Sequence, residues 1–178
     1  MKPYPVDVSE IAHDLGASVV IDDRIDVGDL TVGETVFAAA GPAKVDVTVT
    51  NGGDGIVAYG TIEAHFVTEC SRCLEPFTLE VVGDVEGFYT TPEKAEELPE
   101  DQEWEPLADT IDLAHAFDAA LRINMPFAPL HDPDCAGICP VCGTDLNVTA
   151  CDCAPPEERE SPFAALKDLL ESDRESDL

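Results

Sequence analysis

The sequence predicts an α+β chain: an antiparallel β-meander or barrel-like sheet with one packed helix, followed by a C-terminal cysteine-rich ribbon. Three observations carry that prediction. Between Val45 and Tyr89 apolar and polar residues alternate with period two around the turn sequence Asn51-Gly52-Gly53-Asp54-Gly55. One segment, Asp109 to Arg122, has helical spacing instead. Five cysteines then fall within nineteen positions, Cys135 to Cys153. A chain of 178 residues buries roughly 70% of the surface its unfolded form exposes, enough for a core without disulfides.

The elements follow in order. Val6 to Leu15 reads as a short extended piece and a helical turn, with Gly16 placed to end it. Val19-Val20-Ile21 is a short strand. Val45, Val47 and Val49 alternate with Asp46, Thr48 and Thr50, the pattern of a half-buried strand. Gly52, Gly53 and Gly55 supply the positive-φ residues of a hairpin turn. Ile56 to Cys70 is a long second strand, which Cys70-Ser71-Arg72-Cys73 interrupts. Phe77 to Tyr89 is a third, with Leu79, Val81 and Val85 on one face and Glu80, Asp84 and Glu86 on the other.

Thr91 to Pro106 changes character. It holds seven acids, one lysine and three prolines, and reads as an exposed acidic loop. Trp104, the only tryptophan, lies in it and is expected to fold back onto the core. In Asp109–Arg122, Leu113, Phe117 and Leu121 recur at i, i+4 and i+8 beside Ala116 and Ala120. Asp109 or Thr110 can cap this helix, and Pro126 and Pro129 prevent its continuation. The expected organisation is a β-rich domain over 1–130, with acidic loop 91–106 and helix 109–122. A metal-binding ribbon over 131–154 follows, then an acidic tail over 155–178 with a short helix bearing Phe163, Leu166, Leu169 and Leu170.

The balance of 38 acidic against 9 basic residues gives a formal net charge of −29. Nucleic-acid affinity comes largely from Lys and Arg displacing counterions, and the basic residues here are scattered. Direct RNA binding by the surface at large is therefore disfavoured; the acids read first as keeping the chain soluble and second as meeting a basic protein partner. Met1 to Glu10 shows no signal-peptide pattern, and no apolar run of about 18 residues exists to span a membrane. With no export signal, seven cysteines point to a reducing cytoplasm and to metal ligands or reactive thiols.

Cys139-Pro140-Val141-Cys142-Gly143 has the form of a zinc knuckle. Two thiolates separated by two residues reach one ion, with backbone amides pointing at the sulfurs, and Gly143 takes the conformation that folds the chain back. Cys151 and Cys153 can complete a tetrahedron around Zn²⁺. Five local cysteines, Cys135, Cys139, Cys142, Cys151 and Cys153, compete for four places. Cys151 and Cys153 would point to opposite faces of a regular strand.

Several partitions fit. Cys139, Cys142, Cys151 and Cys153 can form one complete site, or Cys135 can replace Cys151 or Cys153. The two CxxC pairs, Cys70/Cys73 and Cys139/Cys142, can share one ion. A second site can be built from Cys70, Cys73, Cys135 and His131. A closed four-ligand site has no open coordination position and is structural rather than catalytic. Cys70-Ser-Arg-Cys73 also admits a thiol redox reading, but that motif normally opens a helix after a strand, and here it lies between two strands. His13, His65 and His115 are isolated, and no phosphate-binding glycine loop, HExxH or GxSxG is present. No catalytic constellation stands out among these residues.

The order of motifs is itself informative. Cys70-Ser-Arg-Cys73-Leu74-Glu-Pro-Phe77 comes first. Cys135-Ala-Gly-Ile-Cys139-Pro-Val-Cys142-Gly-Thr-Asp-Leu146-Asn147 follows, then Cys151-Asp-Cys153 and Pro162-Phe163-Ala-Ala-Leu166. From about residue 6 to 172 the chain resembles the bacterial YceD-type large ribosomal RNA accumulation proteins. The resemblance implies a cytoplasmic, non-enzymatic factor in ribosome biogenesis, needed for large-subunit ribosomal RNA processing or accumulation. Ribosomal or ribosome-assembly proteins are its expected partners. The other readings are a zinc-ribbon RNA-binding module and a CxxC redox protein.

Overall fold

Val45, Val47 and Val49 have no exposed surface, while Asp46 between them points to solvent. That alternation sets the register of the central hairpin in the computed structural model, which describes residues 1–100 and 102–154. The tail helix expected around Phe163 lies outside the described residues. The chain divides into two compact units, Met1–Cys135 and one that begins at Ala136.

The first unit runs β1 (Pro5–Asp7), β2 (Ser18–Ile25), β3 (Leu30–Val32), β4 (Thr35–Ala39), β5 (Ala43–Asn51), β6 (Ile56–Glu69) and β7 (Pro76–Thr90). Then come α1 (Pro92–Ala95), β8 (Glu105–Pro106), β9 (Thr110–Asp112) and α2 (Ala114–Asn124). Strands β5, β6 and β7 form the expected meander, with β2 outside β5. The far half of β6 pairs with β4, and β4 with β3. Among the described residues no ladder joins β2 to β7, so the sheet stays open.

Of the three glycines expected at positive φ in the β5–β6 turn only Gly53 has it; Gly55 is needed for a close approach instead, since a Cβ there would lie 2.4 Å from Tyr89 O. Gly53 has φ +95°, the Gly52 amide donates to Gly55 O, and the Gly53 amide donates to Asn51 Oδ1. Asn51 is itself buried, and its Nδ2 donates to Ile11 O and Ala12 O. One side chain thus joins the hairpin to the N-terminal turn. The β3–β4 hairpin, which the periodicity did not reveal, carries Phe37 edge-on to Phe66 at 6.5 Å. Both rings are fully buried, each contributing roughly 1.5–3 kcal/mol relative to exposure.

The helix is shorter than its pattern. It spans Ala114–Asn124, because Thr110–Asp112 pairs with β1 and buries Ile111. Tertiary pairing overrides local propensity there. Neither Asp109 nor Thr110 caps it: Leu113 stands at the N-cap with no side-chain cap bond, and Asp112 Oδ1 just before it accepts from the Ala114 amide at 2.9 Å and from the Tyr4 amide at 2.8 Å. Met125 is extended, as the residue before Pro126 must be. Phe117 and Leu121 face the sheet with Ala116 and Ala120. Gly83 lets the helix approach β7; a Cβ there would lie 2.4 Å from Ala120 O.

The acidic segment is more ordered than its composition predicts. Pro92 opens α1, Lys94 Nζ donates to Gly53 O at 2.6 Å, and β8 runs parallel to the end of β7. Trp104 does not fold back onto the core as expected: it keeps 39% of its surface exposed, and the side chains that pack against the core from this part of the chain include Leu107 instead. No helix among the described residues is long and apolar enough to cross a membrane.

Candidate metal centres

The two CxxC sequences fold into one and the same turn. In the first, the Cys70 amide donates to Glu75 O and the Leu74 amide to Cys70 O, both at 2.9 Å. In the second, the Cys139 amide donates to Thr144 O at 2.8 Å and the Gly143 amide to Cys139 O at 2.9 Å. Each donor and acceptor holds the same place relative to its first cysteine. The residue after the second cysteine has positive φ in both: +63° at Leu74 and +73° at Gly143. This turn leaves both sulfurs of a pair on one side.

The first centre is assembled between two strands and a distant loop. The Cys70 turn joins β6 to β7, and the Ser71 amide donates to Pro129 O at 2.8 Å. That bond brings the segment after α2 alongside. Arg72 Nη1 donates to Pro133 O at 3.1 Å and Cys135 O at 2.9 Å, and the Cys135 amide to Asp132 O. The ligand atoms of Cys70, Cys73, His131 and Cys135 then lie within 4.8 Å of one another.

Cys70 Sγ is 3.8 Å from Cys135 Sγ, and Cys73 Sγ is 3.4 Å from His131 Nδ1. A tetrahedral ion with sulfur at roughly 2.3 Å and nitrogen at roughly 2.0–2.1 Å has edges of about 3.8 Å and about 3.6 Å, so the spacing fits. The three cysteines are buried against Phe77 and Leu130, and His131 meets the Phe77 ring edge-on.

The second centre lies wholly in the second unit. The ligand atoms of Cys139, Cys142, Cys151 and Cys153 are also within 4.8 Å of one another. The Val141 amide points at Cys139 Sγ, 3.4 Å away, and the Thr144 hydroxyl lies 3.2 Å from Cys142 Sγ. Asn147 Oδ1 accepts from the Ala136 amide, and the Leu146 amide donates to Gly137 O. Cys151 and Cys153 stand in irregular backbone, not on a strand. The strict alternation that would have separated them does not operate there.

In each centre one sulfur ionises readily and another resists. Burial works to raise the Cys70 thiol, but the amides of Cys73, His131 and Arg72, with the His131 ring, outweigh it and bring it down to about 5. At Cys73 the Glu75 amide favours the thiolate, yet burial and the sulfurs of Cys70 and Cys135 push it up to about 11. Thr144, through hydroxyl and amide, brings Cys142 down to about 6. The Cys142 sulfur, burial and the Cys139 sulfur push Cys153 up to about 12. Crowded thiols cannot all ionise unaided, because each thiolate repels the next. A dication at the centre removes that repulsion and binds the deprotonated sulfurs. Both donor sets, three sulfurs with one imidazole and four sulfurs, suit a four-coordinate soft or borderline ion.

Cys135 thus sits with Cys70, Cys73 and His131, while the remaining four cysteines gather separately. Arg72 was not singled out in the sequence as a brace for the loop; its place between two ligand cysteines was the available signal. A third group, Glu63, His65 and Glu80, lies open on the sheet with His65 Nε2 3.5 Å from Glu80. On so acidic a surface that is an ordinary solvated pair.

Residues 58–170 match the family described as large ribosomal RNA subunit accumulation protein YceD. The chain is similar to uncharacterized proteins of Mycobacterium tuberculosis and Mycobacterium bovis. Each is 30% identical over 149 residues, covering 82% of this chain and 72% of the relative. An uncharacterized protein of Mycobacterium leprae is 28% identical over 177 residues, covering 97% of this chain and 80% of the relative. No solved structure matches.

Proposed function

The chain belongs to the YceD family of large ribosomal RNA subunit accumulation proteins, and from that membership we propose that it is a non-enzymatic, cytoplasmic ribosome-biogenesis factor. It supports large-subunit ribosomal RNA processing or accumulation through protein contacts, and each of its two centres holds a structural Zn²⁺. The observation that carries the structural role is that each centre offers four ligand atoms around one point. A tetrahedral ion so bound has no position left for substrate or water. Zinc suits the donors: it takes thiolate and imidazole together and needs no redox partner.

A protein rather than an RNA partner follows from charge. At −29 the chain repels a phosphate backbone and attracts a basic protein surface, as ribosomal proteins present. Depleting the protein is expected to lower mature large-subunit RNA and to enrich its precursors, read by northern blot. Unchanged precursor and mature levels would sink this reading.

A further inference from the structure

We propose that the groove beside Trp104 is a docking site for an extended, arginine-rich segment of a partner protein; this rests on the protein-contact reading above. The groove has a cavity volume of about 890 Å³ and lies in the first unit, lined by β6 and β7, by the segment leading into β8 and by His115, Ala116 and Ala119 of α2. That volume is in the range of sites that enclose a ligand.

Its floor and wall are aromatic. Phe88 and Tyr59 come from the ladder, and Trp104 from the segment opposite. Tyr59 is 52% exposed and Trp104 39%. Large rings left open in a concavity are the chemistry of a binding hot spot.

The rim settles which partner. Glu86, Glu103 and Glu105 line the groove. Glu105 meets His115 at 2.9 Å, but among the described residues no cation pairs with Glu86 or Glu103. The wall also belongs to the densest acidic stretch of the chain, seven acids between Thr91 and Pro106. Carboxylates around exposed rings fit a guanidinium: its plane stacks on indole or phenol while its fork of donors meets carboxylates. Leucine-like side chains of the same segment fill the apolar floor. A phosphate backbone would meet the same rim with repulsion, so the groove excludes RNA.

Trp104 is the only tryptophan, so its emission reports the groove alone. The probe is a labelled nine-residue peptide of alternating arginine and leucine, titrated into the intact protein at low ionic strength. A saturable change in Trp104 emission is expected, matched by a rise in peptide anisotropy. Tyr59→Ala and Trp104→Ala, read by anisotropy, are expected to weaken binding about 10-fold or more. The surface pair Glu86→Gln with Glu103→Gln leaves the core untouched and is expected to weaken it by about 5-fold. A charge-matched pair away from the groove, Asp22→Asn with Glu34→Gln, is expected to change it by less than about 2-fold.

Absence of binding, or equal loss in the two charge pairs, overturns the proposal, the latter by showing diffuse attraction. A saturable change in Trp104 emission on titration with a single-stranded RNA oligonucleotide, with no peptide present, overturns it too. Any of these leaves the depletion experiment unaffected, so failure of the groove is distinguishable from failure of the biogenesis reading.

Discussion

The two centres share a turn and differ in what surrounds it. Cys70 and Cys73 leave the longest ladder of the sheet, Ile56–Glu69 with Pro76–Thr90. Their sulfurs are buried against Phe77, Leu130 and Cys135. The second turn has no such setting. Among residues 136–154 only Gly137 and Cys139 are buried, while Val141 is 61% and Val148 79% exposed. One centre fastens a loop onto an existing core; the other substitutes for a core. A segment of this length cannot bury enough apolar surface to offset its conformational entropy. Its order rests on the hydrogen bonds of the turn and, on the zinc reading proposed above, on an ion held by Cys139, Cys142, Cys151 and Cys153.

Metal removal should expose that difference most strongly. Structural zinc contributes roughly 10–16 kcal/mol to isolated zinc-finger modules. Chelation is expected to release two ions per chain and abolish amide hydrogen-exchange protection across residues 136–153. Val45, Val47 and Phe66 should stay protected, because the sheet has its own core. Retained protection in the ribbon after both ions are gone would break the comparison.

A smaller effect should separate the centres by their supports. Arg72 braces Pro133 O and Cys135 O at the first centre only. Arg72→Ala is expected to weaken that centre's metal affinity by about 10-fold or more, the usual scale for a lost outer-shell partner. The second centre should keep its affinity. Stepwise competition with a chromophoric chelator reads the two separately, and equal weakening of both would refute the assignment.

The smallest effect concerns the residue that closes each turn. Leu74 holds φ +63° without glycine's freedom, whereas Gly143 holds +73° at no such cost. The left-handed conformation costs an ordinary residue about 1–2 kcal/mol, part of which glycine's unfolded-state entropy cancels. Leu74→Gly is therefore expected to stabilise the first unit by about 0.5 kcal/mol, and Gly143→Ala to weaken the ribbon by about 1 kcal/mol. The shift in urea midpoint measures the first, and loss of metal affinity the second. A destabilised Leu74→Gly would show that the half-exposed leucine holds a contact worth more than the strain.

Legibility followed sequence distance. The β5–β6 hairpin could be read because its register lies within the span from Ala43 to Glu69 and its turn residues are glycines. The β1–β9 pair could not, since Val6 and Ile111 are partners across most of the domain and neither strand exceeds three residues. The same pairing moved the start of α2 and took Asp109 and Thr110 away from its N-terminus, where Leu113 stands at the N-cap. The acidic segment after Thr91 read as a loop because composition carries no trace of Lys94 reaching Gly53 O.

The cysteine turns divide the same way. The sequence alone determined that each CxxC closes on itself, because every hydrogen bond of the turn lies within six consecutive residues. It also determined the acidic surface and the period-two face of the meander, which are properties of composition and spacing. Only the tertiary structure decided that Cys135 and His131 join Cys70 and Cys73. That choice rests on Ser71 meeting Pro129 and on Arg72 holding two carbonyls about sixty residues away, contacts that form only once the sheet and α2 have set the distance between those segments.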